Sequence, residues 1–165
     1  MSSVAAEDTA LDLREVEAFV YREARLADEH DYDGWEALWT DDAVYWVPAG
    51  GPDIDPVKQV SVVYDNRSRI RTRIRQLKTG KRYAQSPPSN MRRVVSNIEV
   101  VGVEGADTVA EANFVLVEHR ERGTVLWAGR TTYRLRRTED GIRLAYKKVV
   151  LVNSADALPT MAFLI

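Results

Sequence analysis

GTVLWAGRTTYRLRRTED, residues 123–140, runs straight into GIRLAYKKVVLVNSAD, residues 141–156. Both stretches are rich in β-branched and aromatic residues, and the EDG between them is a turn signal. In TTYRLRR, Tyr133 and Leu135 point to one face while Thr132, Arg134 and Arg136 point to the other, the two-residue period of a strand. Two similar segments come before: RRVVSNIEVVGVEG, 92–105, and DTVAEANFVLVEHRER, 107–122, set off by turn signals at EGAD and ERG. Four successive strands joined by tight turns predict an antiparallel meander.

The first half has a different period. Leu13, Val16, Val20, Ala24 and Ala27 recur at steps of three and four, one face of a helix with Asp8 or Thr9 as N-cap and an end near His30–Tyr32. Asp33 is expected to cap a short helix, Gly34 to Trp39, that buries Trp35, Leu38 and Trp39. AVYWVP, 43–48, reads as a strand stopped by Pro48, AGGPDIDP as a loop, and VKQVSVVYD, 57–65, as extended chain. NRSRIRTRIRQLKTG, 66–80, puts Ile70, Ile74 and Leu77 on one helical face, with Gly80 where a C-cap glycine belongs. Residues 1–8 are small and polar, a frayed start. Helices followed by strands make an α+β arrangement, with helices on one face of a curved sheet, in a single domain over 1–165.

Composition narrows the chemistry. The 165 residues include no cysteine, which excludes disulfides, zinc–thiolate sites, thiol nucleophiles and a cysteine-held iron–sulfur cluster. The N-terminus lacks the basic start and apolar run of a secretory signal, and no stretch is apolar for long enough to span a bilayer; a reducing cytosol, and so a cytoplasmic protein, is expected. A two-histidine, one-carboxylate iron site would need both histidines, His30 and His119; the plainer reading is two hydrogen-bonded or surface side chains. A cone-shaped pocket could use Asp41 or Asp42, Tyr45, Tyr64 and His119 for acid–base work, although Tyr45 and Trp46 also suit the core. No nucleophile elbow, Walker loop or dinucleotide fingerprint is present.

The basic run is the other prominent feature. From Arg67 to Arg93 there are ten Lys or Arg residues and no Asp or Glu. Nucleic acid fits poorly, because the whole chain carries a net charge of −2 and the alternate arginines of 67–75 circle the helix rather than form a stripe. Contact with a partner protein and a solvated helix face are the readings left open.

Three ordered segments carry a resemblance. They are YREARLADEHDYDGWEALWTDDAVYWVP (21–48), RIRQLKTGKRYAQSPPSNMRRVVSNIEV (73–100) and KKVVLVNSADALPTMAFLI (147–165). Over nearly its whole length the sequence resembles the small (β) subunit of the aromatic-ring-hydroxylating dioxygenases, the Rieske non-haem iron oxygenases of the benzoate and biphenyl type. The family pattern has an Arg-rich helix, a Thr-Gly turn, an aromatic, Pro-Pro-Ser, then Arg-Arg and Val-Ser-Asn. Asn90 departs from it, standing where an Arg is common.

The resemblance implies a cystatin-like cone of the nuclear transport factor 2 kind. It implies a chain without catalytic residues or cofactors of its own. A large (α) subunit would hold the Rieske [2Fe-2S] cluster and the mononuclear Fe(II), in an assembly of three large and three small subunits with the small ones forming a trimer. A reductase, sometimes through a ferredoxin, would supply electrons, and the whole would convert arenes or aromatic acids to cis-dihydrodiols. Arg73, Lys78, Tyr83, Pro87, Pro88, Arg92, Arg93, Leu158 and Phe163 are then the expected subunit contacts, with Arg93 pairing to a neighbouring chain and the apolar tail packing on its own sheet or a neighbour. The alternative is a stand-alone dehydratase or isomerase of the same cone fold that uses Asp42, Tyr45 and His119.

Overall fold

A computed structural model describes residues 9–79, 88–156 and 163–165. The frayed start expected at 1–8, the Gly80 cap and the contacts expected at Tyr83, Pro87 and Leu158 lie outside the described residues.

Helix α1 spans Leu13–Asp28. Its N-cap is Asp12 rather than the residues upstream, because Asp12 and Glu15 form a capping box: Glu15 N donates to Asp12 Oδ1 at 2.8 Å and Asp12 N to Glu15 Oε2 at 3.1 Å. That boundary puts Leu13 in the exposed first turn, and Phe19 and Leu26 join Val16, Val20, Ala24 and Ala27 in the core. At the other end His30 adopts φ 56°, with Asp31 N donating to Leu26 O (2.9 Å) and His30 N to Ala27 O (3.3 Å). This is a Schellman ending with histidine in the position glycine usually takes, so the helix stops before His30.

Helix α2, Tyr32–Glu36, starts two residues earlier than expected because Asp31, not Asp33, caps it through Gly34 N at 3.0 Å. Strand β1 is Trp39–Pro48 and β2 is Ser61–Asn66. Helix α3, Arg67–Lys78, is capped by Asn66 and buries the expected Ile70, Ile74 and Leu77. The meander follows as β3 (Asn90–Glu104), β4 (Asp107–Arg120), β5 (Gly123–Thr138) and β6 (Gly141–Leu151). Gly123 and Gly141 take φ 127° and 102° at the two later turns, a backbone that any residue with a Cβ resists.

The sheet order is β2-β1-β6-β5-β4-β3, antiparallel except for the β1–β6 pair. Pairing of β1 with β6 brings the first strand beside the last and places the meander and the N-terminal half in one sheet. Asn97 (φ 55°) sits in a bulge where the β3 register slips between Ser96 and Glu99. Bulges of this kind bend a strand and raise its twist. The sheet stays open, with β2 and β3 as edges, and its inner face carries Ala110, Ala112, Phe114, Leu116, Tyr133, Leu135 and Val149 against the helices.

Candidate functional site

The basic run is largely answered from within the chain. Arg67 and Arg71 both reach Glu36 Oε1, at 3.0 and 3.6 Å. Arg73 grips Asp65 with Nε–Oδ2 at 2.6 Å and a second nitrogen at 3.2 Å. Lys78 meets Asp33 at 2.7 Å, and Arg92 meets Glu29 at 3.6 Å with most of its side chain exposed. Acids of the first 65 residues therefore neutralise bases from 67 onward. Pairing across that distance cannot be read from sequence order.

Arg93, expected to pair with a neighbouring chain, is instead buried within its own. Its side chain is only 4% exposed, its Nε donates to Asp28 Oδ1 at 2.7 Å, and another guanidinium nitrogen donates to Leu164 O at 2.8 Å. The guanidinium is an internal clamp between α1, β3 and residues 163–165, so it is not available to a neighbouring chain. Phe163 is also internal, edge-on to Trp127 with centroids 5.3 Å apart. Of the expected contacts, Lys78, Pro88 and Arg92 remain on the surface.

The pocket candidates do not converge. Asp42 lies on the surface, held by Arg136 at 3.0 Å and Thr40 at 2.7 Å, and these hydrogen bonds hold its carboxyl below the usual range. His119 is at the far end of β4, with Nδ1 2.8 Å from Thr124 Oγ1 across the β4–β5 turn. Tyr45 is buried, and burial pushes its hydroxyl up to about 12 despite a hydrogen bond to Ile165. Tyr64, half-exposed on β2, packs edge-on to Trp46 at 6.0 Å, and Asp41 is exposed.

Trp35, Trp39 and Tyr45 stack on one another with centroids 5.2 to 5.6 Å apart. Glu23 accepts from Trp35 Nε1 at 3.1 Å and forms a buried ion pair with Lys147. Burial lowers the Lys147 ammonium's affinity for its proton, and the Glu23 charge opposes that shift. Residues 163–165 close over this group, with Tyr45 Oη donating to Ile165 O at 2.8 Å and accepting from Ile165 N at 3.1 Å. His30 is likewise structural, its Nε2 2.7 Å from Ser89 O and its Nδ1 3.3 Å from the Tyr32 hydroxyl. Among the described residues no group of three His, Asp or Glu side chains is arranged to hold a metal.

One surface was missed. On the outer face of β3, β4 and β5, register pairs Val94 with Val115, Val115 with Ala128, and Val117 with Leu126. Val94 and Leu126 are 68% and 67% exposed. A half-solvated antiparallel sheet ordinarily carries polar residues on its outer face, so valines in these alternate positions were the available signal.

Comparisons with known proteins fit this geometry. The family model described as "Ring hydroxylating beta subunit" matches residues 22–155. The anthranilate 1,2-dioxygenase small subunit of Acinetobacter baylyi is 29% identical over 84% of this chain and 88% of its own length. The small oxygenase component of the p-cumate 2,3-dioxygenase system of Pseudomonas putida is 31% identical over 83% of this chain and 77% of its own. The crystal structure of the benzoate 1,2-dioxygenase beta subunit from Burkholderia mallei superposes with TM-score 0.77 at 26% identity, covering 94% of this chain and 99% of that one. An NTF2-like protein with a cystatin-like fold from Novosphingobium aromaticivorans, 20% identical with TM-score 0.57 over 86% of this chain and 82% of its own, shares the fold. With its helices laid on an open six-stranded sheet and a family match from residue 22 to residue 155, the chain belongs to the ring-hydroxylating beta subunit family.

Proposed function

We propose that this chain is the structural, non-catalytic small subunit of a multicomponent aromatic-ring-hydroxylating dioxygenase, an oxidoreductase that converts arenes or aromatic acids to cis-dihydrodiols. The observation that carries the reading is the family match across residues 22–155. The relatives named for anthranilate and p-cumate favour an aromatic acid as the ring oxidised by the assembly.

The residues do not fit the family's metal groups. A Rieske cluster takes two cysteines and two histidines, and this chain has no cysteine. Both ring nitrogens of His30 have partners, and His119 stands apart from it at the end of β4. The cluster and the mononuclear Fe(II) belong to a larger (α) subunit, which supplies the oxygen chemistry. Electrons reach that subunit from a reductase or ferredoxin, and the assembly contains three large and three small chains.

The role of this chain is to hold its neighbours. The outer face of Val94, Val115, Val117 and Leu126 extends to Arg92, which pairs with Val117 in the β3–β4 register. It packs on a second copy of this chain, as a closed trimer requires. Among the described residues no helix is long and apolar enough to cross a membrane, and the protein works in the cytoplasm with the rest of the oxygenase. The stand-alone enzyme reading finds no support in the geometry, since Asp42, Tyr45 and His119 occupy three separate places.

Reconstitution tests the proposal. Purified chain is mixed with an iron-loaded large oxygenase subunit, a matching reductase and an aromatic acid. Dihydrodiol formation that needs this chain, and that survives Asp42→Asn and His119→Gln, supports the reading. Turnover of any substrate by this chain alone, abolished by those substitutions, overturns it.

A further inference from the structure

Helix α3 carries six cations, Arg67, Arg69, Arg71, Arg73, Arg75 and Lys78, and no acid. Three carboxylates pair with them, those of Glu36, Asp65 and Asp33, so three positive charges are in excess. The whole chain has a net charge of −2, which makes this helix a local reversal of sign. Two of the three excess charges share one stripe. At about 100° per residue, Arg67, Arg71, Arg75 and Lys78 fall within about 80° of one another around the axis and run for about 17 Å along it. Arg67 and Arg71 divide one carboxylate between them, at 3.0 and 3.6 Å. Arg75 is exposed and makes no ion pair with any described residue. The third excess charge, Arg69, points to another side of the helix, where it donates to Tyr64 O at 3.3 Å.

The stripe borders an open cleft of about 410 Å³ between α2 and α3, lined by Asp33, Glu36, Arg71, Ile74, Arg75 and Lys78. Ile74 is 2% exposed and anchors this side of the helix in the core. Lys78 meets Asp33 at 2.7 Å, but the two side chains are 50% and 75% exposed, and a pair so open to water contributes little. Arg75 and Lys78 both stand in the last turn of α3, where the negative end of the helix dipole favours cations. The fold thus holds the cationic wall in place without neutralising it.

The chemistry that suits this wall is carboxylate. A guanidinium fork binds a carboxylate through two parallel hydrogen bonds, and Arg71 and Arg75 present such forks one turn apart. Asp33 and Glu36 on the opposite wall oppose a uniform polyanion such as a nucleic acid. A protein segment can put acids against Arg71 and Arg75 and keep them clear of Asp33. The helices lie on the inner face of the sheet and the valines of β3 to β5 on the outer, so covering the valine face with a second copy leaves the cleft open to a different chain.

We propose that the α2–α3 cleft is the docking site for an acidic segment of the large subunit, whose carboxylates meet Arg71 and Arg75. The inference rests on the subunit reading and divides the contacts by side: like chains meet across the valine face, and the unlike chain meets the helix layer.

The test uses the full-length chain and the iron-loaded large oxygenase subunit, with the dissociation constant measured at low and at high salt. Arg75→Glu is expected to weaken the complex at least about tenfold at low salt, with the gap closing as salt screens the contact. Arg69→Glu makes the same charge change off the stripe and should stay within about twofold of the unsubstituted chain. Arg75→Gln breaks no ion pair within the chain, so its weaker binding separates loss of the contact from any misfolding of Arg75→Glu. A complex that forms normally with all three variants, or that weakens equally with Arg75→Glu and Arg69→Glu, overturns the proposal and leaves the subunit reading standing. No complex with the unsubstituted chain sinks both. Arg75→Glu lowering the native mass of the isolated chain would assign the stripe to a second copy, and salt-sensitive retention of a DNA duplex that Arg75→Glu abolishes would assign it to nucleic acid; either overturns the proposal.

Discussion

Changing Arg93 to Glu places a carboxylate beside that of Asp28 at a position where both side chains are 4% exposed. The substitution removes the 2.7 Å ion pair to Asp28 and the 2.8 Å bond to Leu164 O, leaving Asp28 with the backbone N–H of residue 93. Breaking a buried pair by removing one partner costs about 3–5 kcal/mol, and the second negative charge moves this case to the upper end. A single domain has roughly 5–15 kcal/mol of stability in all. With a urea slope of about 2 kcal/mol per molar, the unfolding midpoint falls by about 2.5 M. The assay is a urea titration of the isolated chain, followed by circular dichroism and tryptophan fluorescence. Asp28→Leu with Arg93→Met, which removes both charges together, should recover most of the loss. An Arg93→Glu chain that unfolds at the unsubstituted midpoint yet fails to assemble would refute the reasoning and return Arg93 to an interface.

Val115→Asp on the outer face should change the isolated chain's stability by less than about 0.5 kcal/mol while weakening the self-association proposed above, read as a lower native mass than that of the unsubstituted chain; unchanged association removes the valine face from the interface. Gly129→Ala would set a Cβ 2.3 Å from the backbone oxygen of Val150, forcing β5 and β6 apart, so a loss of about 1–3 kcal/mol is expected in thermal melts. Tyr45 supplies a pH test: burial pushes its folded pKa up to about 12, above the ordinary tyrosine value of 10.0, so the folded chain keeps a proton that the unfolded chain releases. That contribution is complete below pH 10 and is lost as pH rises toward 12, so alkaline melting should be shallower in Tyr45→Phe. Ultraviolet absorbance that reports Tyr45 ionising well before unfolding would contradict its burial.

The meander was legible because each strand carries its own period and each turn its own punctuation; Tyr133 and Leu135 face the core as their alternation required. Helix α3 was legible for the same local reason, through Ile70, Ile74 and Leu77. Helix ends were less so, since Asp12, Asp31 and Asp33 are all competent caps and their side-chain geometry selects among them. The parallel β1–β6 pairing was not legible, because it joins residues about a hundred positions apart and no periodicity encodes it. The same limit governed the basic run. Its arginines read as surface charge until Glu36, Asp65 and Asp28 are brought against them, and Arg93 then proves to be core. Glu23 and Lys147 escaped notice for that reason also, each looking like a solvated charge on its own element.

The most direct test of the subunit reading is a native pull-down of this chain from its source cells, with the mass, iron content and visible spectrum of the product recorded. The account predicts a co-purifying larger chain in equal number, with iron and a Rieske-type absorption. Recovery of the chain alone, colourless and free of iron, would contradict it.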